Sequence, residues 1–222
     1  SAAEEPAVTN LQTCALRHLE RHAPHLPVPR ILASRAGGDE TLVSVESGER
    51  HIVRLMSYLP GEPLAGVAAP AIYRPLVAPM LAQLDLGLAG FDHAAASRRL
   101  LWDASDASGI RPLVQTVSDK PRRHFLARLL DAYDDYAVPR LPALRTQIIH
   151  NDFNPSNILA DAAGPARLTG IIDFGDIIRA PLVSEVATAA SYQPIDDGDP
   201  LDILCGFVAG YHRAMALTPR EL

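Results

Sequence analysis

Two stretches decide how this chain is read: Ile148-Ile-His-Asn-Asp-Phe-Asn-Pro-Ser-Asn-Ile-Leu159 and Leu168-Thr-Gly-Ile-Ile-Asp-Phe-Gly-Asp176. In the first, an apolar strand ends at His150, a polar loop holds Asp152 and Asn157, and a second apolar run resumes at Ile158. In the second, another apolar strand delivers Asp173 and Asp176, with Gly175 loosening the backbone between them. Short apolar runs bounded by polar loops are the pattern of buried strands. A single Asp at a strand end is usually a turn former, and a single Asn before an apolar run is usually a cap. The joined pattern His-x-Asp-x-x-x-x-Asn, apolar strand, Asp-Phe-Gly-Asp is long enough to be read as a functional motif.

Working outward, residues 181–192 and 199–217 return to helical spacing. Upstream, 119–137 reads as a helix, 98–117 is helical in tendency, and 70–89 reads as a helix with Ile72, Leu76, Met80, Leu84 and Leu88 on one face. Near the start, 6–23 reads as a helix through Leu11, Cys14, Ala15 and Leu19, and Pro24 stops it. Pro27-Val-Pro29 is an extended connector. Residues 30–34, 41–46 and 51–58 read as strands, with a turn at Gly37-Gly38. Leu59-Pro-Gly-Glu-Pro63 then breaks the pattern. The expectation is an α+β chain: a small β-containing piece over 1–58, then a mostly helical lobe over 59–222 with a short β insert.

Composition narrows the function classes. The chain has 222 residues, 48% apolar and 21% charged, which is ordinary for a globular protein and far from the disordered range. Its net charge is −6 and it carries no long basic run, which argues against a nucleic-acid surface. No apolar stretch has the length of a membrane span, and the first residues show no signal-peptide pattern, so a cytoplasmic location is expected. Cys14 and Cys205 are too few for a disulfide framework and are expected to be reduced and buried.

The residue types in the two loops suit phosphoryl transfer. That reaction needs a carboxylate to orient and deprotonate an acceptor hydroxyl, and hard oxygen ligands to hold Mg²⁺ against the phosphates. Asp152 can be the first, and Asn157 with Asp173 the second. An amide beside a carboxylate adds a metal ligand without adding charge.

With these residues in place, the chain resembles the aminoglycoside phosphotransferase and choline kinase group, the small-molecule branch of the protein-kinase-like two-lobe fold. Gly170-Ile-Ile-Asp-Phe-Gly-Asp176 followed by Ala180-Pro-Leu-Val-Ser-Glu-Val-Ala187 is most similar to hydroxylysine kinases, and also to the phosphotransferase domain fused to some class III aminotransferases. The resemblance implies that Asp152 is the base or orienting group, that Asn157 and Asp173 hold Mg²⁺, that His150 braces the catalytic loop, and that Asp176 braces a loop or meets the acceptor. It also implies that Met56, Ser57, Tyr58 and Leu59 form a hinge against the base of ATP or GTP, through backbone groups of Ser57 to Leu59. The 6–23 helix resembles the small-lobe helix that carries an acidic partner for a phosphate-binding lysine.

The chain departs from the group in two respects. About five residues precede that helix, so no glycine-rich strand pair or strand lysine stands before it; the only lysine is Lys120, far downstream. Gln12 occupies the place of the acidic partner, with Glu4 and Glu5 just ahead of the helix. The small lobe is therefore expected to be incomplete and the chain to be a piece of a longer protein, with Thr218-Pro219 opening a further helix. The expected acceptor is a small hydroxylated molecule, often cationic in this group: hydroxylysine-like, an aminoglycoside or an amino alcohol. Candidate contacts for it are Asp131, Asp134, Asp135, Asp196, Asp197 and Asp199, with Tyr192 and Tyr211 as aromatic partners, while Trp102 is expected to pack the helical lobe. The competing readings are a catalytically impaired nucleotide-binding module and one domain of a larger fusion enzyme.

Overall fold

The structure is a computed structural model that describes residues 5–44, 48, 50–193 and 199–222. Helix α1 (Pro6–His22) opens on a proline in its first turn and closes with Arg21 and His22 at its carboxyl end, both favourable placements. Leu11, Ala15, Leu16 and Leu19 are buried on its inner face. Strand β1 (Ile31–Leu32) pairs antiparallel with β4 (Leu55–Met56), and β2 (Thr41–Ser44) pairs antiparallel with β3 (Arg50–Val53). The single strand expected over 51–58 is thus two strands that meet at Arg54. That guanidinium turns onto α1, where it donates to the Thr9 carbonyl at 3.1 Å, to Thr13 Oγ1 at 3.4 Å and to Gln12 Oε1. Gln12 is buried by the same contact.

The segment expected only to break the pattern contains strand β5 (Glu62–Pro63), which pairs antiparallel with the strand at Ile158–Ala160. A turn at Pro70–Tyr73 leads into α2 (Arg74–Leu88). Its buried positions are Val77, Ala78, Leu81, Ala82, Leu84, Asp85 and Leu88, whereas Ile72 and Leu76 are exposed. The expected face was drawn at strict four-residue spacing. Each such step overshoots a full turn by about 40°, so five positions cannot share one face. Over 98–117 the chain is helical only in part: a distorted 3₁₀ stretch at Ala104–Ile110 and the four-residue α3 (Arg111–Val114). Residues 98–103 run as an irregular strap. Helix α4 (Lys120–Tyr136) is capped by Asp119, which accepts from the Arg122 amide at 2.7 Å, and it buries only Leu130.

Strand β6 (Thr146–Ile149) delivers the first motif loop. Strands β7 (Ile158–Ala160) and β8 (Leu168–Ile171) form a hairpin, with β5 on the other edge of β7. Strand β9 (Ile178–Pro181), not anticipated, pairs antiparallel with β6. Helices α5 (Leu182–Ser191) and α6 (Pro200–Ala214) follow, the second capped by Asp199. Gly210 lets α6 approach α2 closely: a Cβ there would stand 3.2 Å from that of Ala78. After α6, Glu221 accepts from the Thr218 amide at 2.7 Å, a capping arrangement, and pairs with Arg145 at 2.6 Å.

One core joins the two halves of the chain. Leu11, Leu19, Leu26, Leu81, Leu84, Leu88, Ile148, Ile158 and Ile171 are sealed in it. Each such side chain contributes about 1.5–3 kcal/mol on burial. Helix α1 and the motif strands are therefore held against the same apolar mass. Glu4, Asp196, Asp197 and the end of the strand expected at 41–46 lie outside the described residues.

Candidate active site

The two motif loops meet, and His150 is the joint between them. It is fully buried at the end of β6. Its Nδ1 accepts the Asp152 amide at 3.3 Å, so Nε2 carries the proton and donates to the Ile172 carbonyl at 3.1 Å. Burial lowers its pKa, which favours this neutral tautomer. Its ring meets Phe174 edge-on at 4.9 Å and Phe153 at 6.2 Å. One imidazole thus ties the Asp152 loop to the residue before Asp173.

Asp152 is partly buried and gripped from both sides. The Asn154 amide donates to its Oδ1 at 2.7 Å, and the Asn157 amide donates to its Oδ2 at 2.7 Å and to its carbonyl at 3.0 Å. Asn154 in turn receives the Ser156 amide at 2.7 Å. The preceding residue, Asn151, is left-handed at φ 64°. Its amide donates at 2.7 Å to Glu185 Oε2, from a side chain of α5 that is itself fully buried. Burial raises the Glu185 carboxyl to about 7, and it raises Asp85 on α2 well above the ordinary carboxylate range, with Glu185 adding to that effect.

Asp173 is also left-handed, at φ 61°, and exposed; its Oδ1 accepts the Gly175 amide at 3.1 Å. Asn157 Oδ1 and Asp173 Oδ2 accept no hydrogen bond among the described residues. They are hard oxygen donors of the kind Mg²⁺ takes. Among those residues no cluster of three or more His, Cys, Asp or Glu could cage a metal alone. A two-ligand set is what suits an ion that shares its shell with phosphates and water.

Asp176 is half-buried, and burial raises its pKa, with the charges of Asp152 and Asp173 acting in the same direction. Its Oδ2 accepts the Trp102 indole N–H at 2.9 Å. Trp102 therefore does not pack the helical lobe: it is 59% exposed beside the motif loops. Arg98, from the same strap, donates to the Gly175 carbonyl and to the Ile177 carbonyl at 3.4 Å. Sequence patterns give no site role to Arg98, Trp102 or Asn154: the first two lie outside the motif stretches, and Asn154 lies inside one without being part of its pattern.

Of the expected hinge residues, Leu59 reaches the β7–β8 hairpin, while Met56 pairs with Ile31 of β1. The Ser57 amide donates to the Arg30 carbonyl at 2.9 Å, and the Arg30 amide to Ser57 Oγ at 2.8 Å, so both Ser57 groups are engaged by Arg30. The Tyr58 and Leu59 amides make no hydrogen bond among the described residues. Tyr58 is 90% exposed, Met56 is exposed, and Leu59 packs on Gly170 of β8, where a Cβ would stand 3.0 Å from Leu59 Cδ1.

Other expected contacts fall elsewhere. Asp131 and Asp134 pair with Arg111 at 2.9 and 2.5 Å. Asp199 caps α6, and Tyr211 is a buried residue whose hydroxyl donates to Asp85 at 2.7 Å. Tyr192 is half-exposed beside Phe153 and Pro155. Lys120 is exposed at the first position of α4. Cys205 is exposed and Cys14 half-buried, because Cys205 falls on the outer face of α6.

Comparison with known proteins shows which family the chain is similar to. Residues 5–217 match the family described as phosphotransferase enzyme family. Among curated proteins, hydroxylysine kinase of Danio rerio is 28% identical over 98% of this chain and 63% of that protein. Hydroxylysine kinase of Mus musculus is 28% identical over 87% of this chain and 55% of that protein. The chain thus spans about three-fifths of the length of these relatives. Among solved structures, a microcompartment-associated aminopropanol kinase superposes with a TM-score of 0.66 at 20% identity, over all of this chain and 69% of that one. An amicoumacin kinase solved with AMP-PNP and Ca²⁺ gives 0.62 at 15% identity, over 96% of this chain and 64% of that one. The fold is the kinase-like α+β fold of these neighbours. No helix of the described residues is long and apolar enough to cross a membrane.

Proposed function

We propose that this chain, which belongs to the phosphotransferase enzyme family by its match over residues 5–217, carries the chemistry of a kinase that moves the γ-phosphoryl group of ATP or GTP to a hydroxyl of a small amine-bearing acceptor. The observation that supports this best is the grip on Asp152: two side-chain amides hold both of its oxygens, in a loop that His150 clamps to the Asp173 segment. A carboxylate fixed in this way can orient an acceptor hydroxyl and take its proton as phosphoryl transfer proceeds.

Asn157 Oδ1 and Asp173 Oδ2 are the donors that would hold Mg²⁺, which when bound neutralises charge on the phosphates. The strap Met56–Leu59 would receive the nucleotide base, with the Tyr58 and Leu59 amides as its free donors and Leu59 as an apolar contact. The division into lobes would fall at 58/59, since β5 beyond it already pairs with β7. Two relatives are named for hydroxylysine and aminopropanol, each of which joins a hydroxyl to an amine. That favours an amine-bearing acceptor here.

One observation favours a second reading, a nucleotide-binding module without turnover: the sole lysine stands exposed on α4, so no lysine of this chain takes the phosphate-binding role by motif. The two readings separate in one assay on the natural full-length protein. Nucleoside-diphosphate release is followed with Mg²⁺ and ATP or GTP against 5-hydroxylysine, ethanolamine, choline, homoserine and an aminoglycoside. Acceptor-dependent release that vanishes in Asp152→Asn supports the kinase. Mg²⁺-nucleotide binding with no release for any acceptor supports the module, and no nucleotide binding at all sinks both.

A further inference from the structure

Trp102 is a large apolar side chain left in the open beside charged groups. It is 59% exposed, on the irregular strap over 98–103. Its N–H edge is pinned to Asp176 Oδ2 at 2.9 Å, which fixes the ring's position without covering its faces. Among the described residues, no other ring and no guanidinium stacks on it. The second oxygen of Asp176, Oδ1, accepts no hydrogen bond among those residues and is not sealed from solvent.

The charges around this corner favour a cation. Asp152 and Asp173 both act on the Asp176 carboxylate. Arg98 opposes them with a single positive charge against three carboxylates, and its Nη2 is held by the carbonyls of Gly175 and Ile177. A π face beside a free carboxylate oxygen offers two contacts that an ammonium group uses together, a cation–π contact and a charge-assisted hydrogen bond. A neutral hydroxyl in the same place would gain only an ordinary hydrogen bond, and an anion would face three carboxylates against the one guanidinium of Arg98.

We propose that Trp102 and Asp176 form the ammonium-binding corner of the acceptor site, receiving the acceptor's amine on the indole face and Oδ1 while its hydroxyl meets Asp152. This rests on the phosphotransferase reading above. It names two specificity-determining side chains, one of which no motif indicates, and the class of acceptor they select: short amino alcohols over the matching diols.

Trp102 is the only tryptophan of the chain, so its fluorescence reports on this corner directly. The chain is titrated without nucleotide with 1-amino-2-propanol and, separately, with 1,2-propanediol. A saturable emission change with the amine, absent with the diol and weakened at least tenfold in Asp176→Asn, is expected. Equal responses to amine and diol overturn the proposal, as does no response to either. In the full-length protein, Trp102→Leu removes the π face and Trp102→Phe keeps it. The leucine variant should raise KM for the amino alcohol about fivefold to thirtyfold, with the phenylalanine variant in between and KM for the nucleotide unchanged. A leucine variant within twofold of the parent for the amine overturns the corner while leaving the kinase reading intact. Absence of release with every acceptor strikes the kinase reading instead, and the fluorescence titration still decides whether the corner binds an amine.

Discussion

Glu185→Gln should make the protein less sensitive than the parent to a rise in pH, with the buried Asp85 carboxyl supplying the dependence that remains. Glu185 is sealed in the core with Oε2 on the Asn151 amide, while its Oε1 and Asp85 Oδ1 have no hydrogen-bond partner among the described residues. Burial holds its carboxyl at about 7 against an ordinary 4.5. In the folded state the proton is therefore bound more tightly than in the unfolded chain. Stability is fully present below pH 4.5 and falls as pH rises toward 7, because only the unfolded chain releases its proton freely over that window. The displacement corresponds to a total loss of about 3 kcal/mol. Glutamine keeps an oxygen for the Asn151 amide and cannot ionise. Urea unfolding of both proteins at pH 5 and pH 8, followed by far-UV circular dichroism, gives the comparison. The parent should lose about 2–3 kcal/mol more than the variant between the two pH values. Parallel losses would mean that Glu185 is hydrated and ionised at neutral pH, and the account of a dry carboxyl beneath the Asp152 loop would be wrong.

Asp152→Asn in the full-length protein should lower kcat by about 10²–10⁴ with nucleotide affinity nearly unchanged, as measured by diphosphate release and by direct nucleotide titration. Asp173→Ala should remove the Mg²⁺ dependence of nucleotide binding; a normal Mg²⁺ titration would place the metal elsewhere. Gly61→Ala should destabilise the fold by about 1–3 kcal/mol in thermal or urea unfolding, because Gly61 has φ +132° and a Cβ would press on Thr169 Oγ1 and the Ala160 carbonyl.

The parts of this protein that were legible in its sequence are those whose meaning is local. His150, Asp152, Asn157 and Asp173 lie within two short segments, and their spacing along the chain is also their spacing in the loops, so the structure brings them together as expected. Most helix limits followed from capping residues and prolines. What stayed hidden depends on distant partners. Arg54 breaks a continuous-looking strand because it turns onto α1. Ile178–Pro181 becomes a strand because β6 offers it an edge. Glu185 looks like any acidic residue on a helix until α5 places it under Asn151. Trp102 reads as packing, since an apolar ring near leucines usually packs, and only the return of the chain at Asp176 reveals its other use. The face of α2 was misplaced for a geometric reason, the precession of four-residue steps, and not for want of signal.

The imidazole of His150 has a mechanical consequence. Held by the Asp152 amide on one nitrogen and the Ile172 carbonyl on the other, it acts as a spacer of fixed width between two loops. The gap between the group that would receive the acceptor's proton and the group that would hold the metal is then set by the size of an aromatic ring, not by loop length or lobe opening. A scaffold gauged in this way can exchange the side chains around its acceptor, or flex at its hinge, without retuning the reacting centre. Variation among such proteins is accordingly expected to collect on straps like 98–103, while the width of the spacer stays the same.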